Sequence, residues 1–347
     1  MGADSCEVVQ TTGSTGKPVK VLRHAESYRI RYLAQTLLGT HWHKPDLSRL
    51  IINFSVREKD AKRNSWGVPE ALFYKTGPSI TYQCIERDLA SMYLKIKETL
   101  PGYTVSNSSI ALALAKYSLK HDANNAPRIN AMFSSSEAVT EELRALCFDA
   151  FGAKVIDRYS CVEVGWIAMQ CPIHNHLHLL TNNVIMEIVD ETGRACDPGV
   201  PGRVLITALH SHAMPLIRYE VGDMAQWGGP CDCGIKLPVI DKIWGKEREF
   251  IKTPNGELRH MALVGPAILE LGEILDIRIR YYSNPLVVIE IVSGTPFGNL
   301  QERLLEKKIW SMLGFQCPIR IEKKLSINWG NTDKRILFMD MKKAWIN

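Results

Sequence analysis

Gln10-Thr11-Thr12-Gly13-Ser14-Thr15-Gly16-Lys17-Pro18-Val19-Lys20-Val21-Leu22 is the stretch whose reading governs the rest of the chain. It gathers three small hydroxyls, Thr12, Ser14 and Thr15, around Gly13 and Gly16, and follows them with Lys17. Glycines let backbone N–H groups turn toward an anion, hydroxyls add donors, and a lysine adds a point charge. Such a loop suits a polyphosphate, and ATP is the first expectation. It is not a Walker loop, which has four residues between its glycines and a Ser or Thr after the lysine. Here Ser14 and Thr15 alone separate the glycines, and Pro18 follows Lys17. A flexible Ser/Gly/Thr loop is the competing reading.

Outward from that loop, 347 residues with 46% hydrophobic content can bury a sizeable core, and suggest one large domain with a smaller one. The net charge of +5 comes without a long basic run, so nucleic-acid binding is not indicated. No apolar stretch reaches the length of a membrane span, and the first residues lack a signal-peptide pattern. Nine cysteines without an export signal argue against a disulfide framework. The expectation is a cytoplasmic protein whose cysteines are buried, reactive or metal-bound.

No internal repeat is visible. Helical spacing appears over 26–38, 86–99 and 110–119. It is clearest over 137–151, where Val139, Leu143, Leu146, Cys147 and Ala150 share a face and Gly152 supplies the stop. A strand follows over 154–159. Residues 184–189 and 203–209 alternate as strands between turn signals. Beyond Trp244 the texture changes to strands over 276–282, 286–292 and 318–323 with a helix over 300–313, a compact α+β module. The expected boundary lies near Gly245, giving residues 1–244 and 245–347.

Several constellations carry chemistry. Asp157-Arg158-Tyr159-Ser160-Cys161-Val162-Glu163 offers a ring face and a carboxylate four residues apart at a strand end. Leu216-Ile217-Arg218-Tyr219-Glu220-Val221-Gly222-Asp223 ends on a carboxylate, an acceptor-only group suited to a ribose diol. Cys171, followed by His174, His176 and His178, and the Cys231–Cys233 pair form two distant clusters of soft ligands that suit a closed, structural zinc site. Which of the three histidines serves is left open by the residues. Lys334, in Asn331-Thr332-Asp333-Lys334-Arg335, lies in a polar turn; a surface lysine is its default reading.

Taken in order, these pieces resemble the adenylate-forming enzymes, above all the phenylacetate–CoA ligase branch and its capsule-biosynthesis-type relatives. Thr12 to Pro18 resembles the family's Ser-Gly-Thr-Thr-Gly-Lys-Pro phosphate loop, which implies that Thr12, Gly13, Ser14, Thr15, Gly16 and Lys17 bind ATP. Ser135, Ser136 and Glu137 stand where the family has a turn whose backbone borders the adenine. Tyr159 to Glu163 resembles Tyr-Gly-x-Ser/Thr-Glu, implying that Tyr159 stacks on adenine and Glu163 helps hold Mg²⁺. Asp223 falls on the ribose ligand, and Lys246 on the arginine of the hinge motif. Lys334 matches the catalytic lysine, and Cys171, His178, Cys231 and Cys233 resemble a zinc site found in some members.

The implied fold is α/β: a large N-terminal adenylation core of stacked sheets and helices, with a small mobile α+β C-terminal lid carrying Lys334. The implied chemistry is attack of a carboxylate on the α-phosphate of Mg·ATP, release of pyrophosphate, and acyl transfer to a nucleophile. Departures accompany the match. The phosphate loop stands almost at the first residue, so a shortened variant, a homodimer or a partner protein that supplies the remainder are all expectations, and a partner-dependent or non-catalytic adenylate-binding protein is the alternative function. Ser160 replaces a glycine, Lys246 an arginine without its bidentate fork, and Arg248 the hinge aspartate. Lys252-Thr253-Pro254-Asn255-Gly256 resembles the capsule-type relatives more than the CoA ligases, leaving CoA and an amine-type acceptor both open.

Overall fold

The computed structural model describes residues 6–10, 19–56, 58–84, 88–135, 137–261, 274–282, 284–328 and 338–341. The chain divides into two compact units. The first comprises 1–9, 21–221 and 225–243; the second comprises 10–20, 222–224 and 244–347.

The first unit begins with a two-stranded sheet, β1 (Cys6–Gln10) and β2 (Lys20–His24), and the helix α1 (Ala25–His43). Then come β3 (Ile51–Ser55), β4 (Ala61–Arg63), α2 (Glu70–Phe73), β5 (Ser79–Gln83), α3 (Leu89–Thr99), β6 (Tyr103–Asn107), α4 (Ser108–His121), β7 (Ala131–Ser135), α5 (Glu141–Phe151) and β8 (Lys154–Cys161). The strands β9 (Gly165–Gln170), β10 (Leu177–Leu179), β11 (Val184–Val189), β12 (Gly202–Ala208), β13 (Tyr219–Trp227) and β14 (Val239–Lys246) follow. Twelve strands form one sheet in the order β11-β12-β13-β14-β10-β9-β8-β7-β6-β3-β5-β4. Within it β5, β3, β6, β7 and β8 run parallel, so Gln83, Ser55, Asn107, Ser135 and Tyr159 approach one edge. Ligands of open α/β sheets bind outside that carboxyl edge.

Period-two alternation sorts these strands into two faces. Ile52, Phe54, Met132 and Val155 bury one face under Met92, Ile96, Leu114, Leu143 and Cys147 of α3, α4 and α5. The opposite face presents Tyr103, Ala131, Phe133 and Ile156 beside Trp66. The helix expected from residue 137 begins at Glu141, because the Thr140 hydroxyl accepts the Leu143 N–H at 3.1 Å and caps it there. It ends as expected at Gly152, whose φ of +64° is left-handed; a Cβ there would strike the Arg128 guanidinium. The mixed α/β architecture matches the fold class expected for the larger unit.

The second unit holds β15 (Phe250–Lys252) paired with β16 (Leu258–His260), and a four-stranded sheet of β17 (Ile274–Tyr281), β18 (Val287–Ser293), β19 (Ile319–Lys323) and β20 (Phe338–Asp340), with α6 (Asn299–Leu313) between β18 and β19. The sheet order is β19-β18-β17-β20, antiparallel at its centre and parallel at both flanks. Leu305, Ile309 and Leu313 at helical spacing cover Ile277, Ile279, Ile289 and Ile291 at strand spacing. It is the small α+β module the pattern predicts.

Candidate functional site

The carboxyl edge of the parallel strands collects the first group. The turn after β7 is tied to α4: the Ser134 and Ser108 hydroxyls lie 2.7 Å apart, Ser108 Oγ donates to the Glu137 carbonyl at 3.2 Å, and Glu137 Oε2 accepts the Ser109 N–H at 2.7 Å. Glu137 thus spends its carboxylate on a helix N-terminus, where a negative charge is favoured. Tyr159 is half-buried near the end of β8, next to a register irregularity between Tyr159 and Ser160.

Glu163 sits in the turn between β8 and β9, and Tyr219 of β13 donates its hydroxyl to Glu163 Oε1 at 2.9 Å. Burial, together with the Glu163 charge, pushes the Tyr219 hydroxyl well up, so it stays a donor. Burial also pushes the Cys161 thiol up, which removes it from consideration as a nucleophile. The hairpin turn is held close to α1. Gly165 has φ +80°, and a Cβ there would meet the Tyr28 ring at 3.2 Å. Tyr219 stands four residues before Asp223 in the same strand, and nothing in its own residue type marks the role that its hydroxyl takes.

In the second unit, Asp223 is nearly buried and Lys246 Nζ lies 2.8 Å from its Oδ1. Gly222 and Gly245, both at positive φ, precede these two residues and shape the backbone that brings them together. The two sequence candidates, 23 positions apart, therefore form one ion pair.

Cys171 directly follows β9, His176 precedes β10, His178 lies within it, and Cys231 lies between β13 and β14. Their donor atoms all lie within 4.8 Å of one another. The Cys171 and Cys231 sulfurs are 3.8 Å apart, far beyond a disulfide bond, and Cys233 Sγ is 3.2 Å from His178 Nε2. His176 Nε2 is buried without a hydrogen-bond partner. Burial lowers both imidazoles, favouring the neutral, metal-ligating form. His174 is paired with Asp232 at 2.6 Å, and these two form a second group of donors with Cys231. The structure therefore gathers all four expected residues and adds His176, which shares a side with His178 because i and i+2 of an extended chain do so. Soft sulfur and imidazole donors with one orphaned ring nitrogen fit a tetrahedral zinc ion.

Thr12, Gly13, Ser14, Thr15, Gly16, Lys17, Ser136 and Lys334 lie outside the described residues, as does the side chain of Ser135.

No protein-family model and no curated protein matches the chain. Solved structures do. A 2-hydroxyisobutyryl-CoA ligase in its postadenylation state, bound to 2-HIB-AMP, is similar at a TM-score of 0.70 and 17% identity, over 99% of this chain and 75% of that one. An anthranilate CoA ligase in complex with anthranoyl-AMP is similar at 0.63 and 14% identity, over 94% and 65%. The O-succinylbenzoate coenzyme A synthetase of Bacillus subtilis, in complex with AMP, is similar at 0.62 and 13% identity, over 95% and 67%. The chain has the fold of these adenylate-forming ligases.

Proposed function

We propose that this protein activates a carboxylic acid with ATP, forming an acyl adenylate and releasing pyrophosphate, and then passes the acyl group to a nucleophile. What supports this reading is the fold, shared with ligases that hold acyl-AMP, together with the Tyr219–Glu163 hydrogen bond in the turn that follows β8, the strand that carries Tyr159. Residues 1–244 act as the binding core and 245–347 as a lid domain, within the phenylacetate–CoA ligase and capsule-type branch.

Roles follow from chemistry. The hydroxyl-rich loop from Thr12 to Lys17 supplies N–H, O–H and ammonium donors to the triphosphate. Tyr159 gives its ring to the adenine, and the backbone of Ser135, Ser136 and Glu137 borders it. Asp223, steadied by Lys246, accepts from the ribose hydroxyls. Tyr219 fixes the rotamer of Glu163, the residue that would hold Mg²⁺, an ion that offsets phosphate charge. Lys334 opposes the charge that develops as the carboxylate attacks phosphorus; preorganised cations of this kind are a leading source of rate in phosphoryl and nucleotidyl transfer. Cys171, Cys231 and His178, with Cys233 or His176, would hold zinc; a site without an open position has a structural role. The compartment proposed is the cytoplasm; no described helix is long and apolar enough to cross a membrane.

The test is ATP–pyrophosphate exchange with a panel of carboxylic acids, and product formation with and without CoA or amines. Lys334→Ala should cut exchange by about a thousandfold while ATP still binds, of the order seen when a key electrostatic donor is removed. Exchange at the wild-type rate in that variant would overturn the assignment. Metal analysis of purified protein should return one zinc per chain; none would sink the metal reading alone.

A further inference from the structure

Arg158 precedes Tyr159 on β8, opposite Ser135 of β7 and Met169 of β9. By alternation it belongs to the sheet face that α3, α4 and α5 leave uncovered, the face of Phe133 and Ile156. Its guanidinium lies over the Phe133 ring at 4.9 Å and over the Trp166 ring at 5.3 Å. Its Nε is buried with no hydrogen-bond partner, and the side chain makes no ion pair with any described residue. Glu70 and Asp157 act on it only through space, and Glu70 already takes a hydrogen bond from Thr40 Oγ1 at 2.9 Å.

A second orphan stands beside it. Trp166, on the neighbouring strand β9, is 5% exposed, and its indole N–H has no partner among the described residues. A buried guanidinium Nε and a buried indole N–H that no described residue satisfies are costly features, and they are retained where a ligand offsets them. Aromatic rings pack against the guanidinium, so what it still offers is its in-plane N–H fork. That fork matches a carboxylate in bidentate geometry, and an indole N–H can add a third donor. The next residue is Tyr159, and the turn carrying Glu163 follows within the same hairpin.

We propose that Arg158, seconded by the Trp166 indole N–H, sets the substrate class: the acid is a dicarboxylate, one end adenylated and the other held by this pair. The proposal rests on the adenylation reading above. A ligand laid over the carboxyl edge of the sheet meets Tyr159 from one side and Arg158 from the other.

The experiment is pyrophosphate exchange with short straight-chain monocarboxylic and α,ω-dicarboxylic acids matched in length, beside thermal melts of the same protein with each acid alone. Wild type should prefer the diacids. In Arg158→Met the ratio of diacid to monoacid kcat/KM should fall by about thirtyfold or more, the loss expected when a charged hydrogen-bond pair is removed. Arg158→Lys, which keeps the charge without the fork, should fall between. The Arg158→Met protein without ligand should melt higher than wild type, since an unpaired buried charge has gone, and diacids should no longer raise its melting temperature. Trp166→Phe keeps the ring and removes only the N–H; it should lower the ratio about fivefold, and it reads the same site should Arg158→Met fail to fold. Exchange with monoacids and no diacid preference, or a ratio unmoved in Arg158→Met or Trp166→Phe, overturns the proposal. No exchange with any acid, while diacids still raise the wild-type melt and not that of the Arg158 variants, overturns the adenylation reading and leaves the anion site standing.

Discussion

Arg144 and Arg158 flank the same strand, both drawn largely out of water, and they are received in opposite ways. Arg144 reaches from α5 and donates to the Val155 carbonyl at 2.7 Å and to Gln170 Oε1 at 3.1 Å; that same Gln170 oxygen accepts the Asp157 N–H at 2.9 Å. Burial lowers its pKa, but the Asp157 and Glu141 charges work the other way. Arg158 has ring faces and no acceptor among the described residues. A buried cation whose hydrogen bonds close within the fold supports the fold. One whose fork is left unmet weakens the fold and gives a ligand something to complete. The helix-covered side of β8 is finished, and the other side is not.

That contrast can be broken or sharpened by measurement. The largest effect belongs to Arg144→Met, which strips partners from buried acceptors and from Asp157. It should cost about 3–5 kcal/mol in urea unfolding, the range for a broken buried charge network, whereas Arg158→Met should cost nothing. Equal losses at both sites would end the distinction.

Asp157→Asn comes next. Burial raises the Asp157 carboxyl from 3.8 to about 6. A folded-state pKa above the unfolded one means that this group's stabilisation is complete below about pH 4 and is lost as pH rises through 6. The ionised form therefore weakens the fold at pH 8 by up to about 3 kcal/mol, at 1.36 kcal/mol per unit. Asp157→Asn should melt higher than wild type at pH 8 and level with it below pH 4; a difference independent of pH would count against burial as the cause.

Gln170→Leu should cost about 2 kcal/mol, because it leaves the Arg144 fork and the Asp157 N–H short of one acceptor. Thr40→Val should change stability by no more than about 1 kcal/mol. By releasing a Glu70 oxygen to turn toward Arg158, it should still weaken diacid binding in the same thermal melts. A diacid response identical to wild type would show that Glu70 plays no part in keeping the fork open.

Much of the fold was legible. α5 announced itself through Leu143, Cys147 and Ala150 on one face and Gly152 at its end, and the second unit through its alternation of strand, helix and strand. The short parallel strands β3, β5, β6 and β7 went unread. Five residues such as Ile51-Ile52-Asn53-Phe54-Ser55, with polar positions interleaved, carry too little periodicity to stand out. At the site, Asp223 with Lys246 and the Cys/His cluster were each anticipated as residue types in a pattern. Tyr219 and Arg158 were passed over, and His176 was left open as one candidate among three. A tyrosine in an apolar strand, a histidine among three, and an arginine before a tyrosine look ordinary until their surroundings are known.

Helix faces, the stops at Gly152 and Gly314, the local hydroxyl-, glycine- and carboxylate-bearing motifs and the stock of soft ligands were all determined by the chain itself, since each depends on residues within a turn or two of one another. Only the tertiary structure decided that Tyr219 meets Glu163 across 56 positions, that Cys231 comes to Cys171 across 60, and that Arg158 meets rings but no acceptor among the described residues. Those outcomes are set by strand order and register in the twelve-stranded sheet, where pairing between distant segments chooses which buried groups find partners and which are left for a ligand.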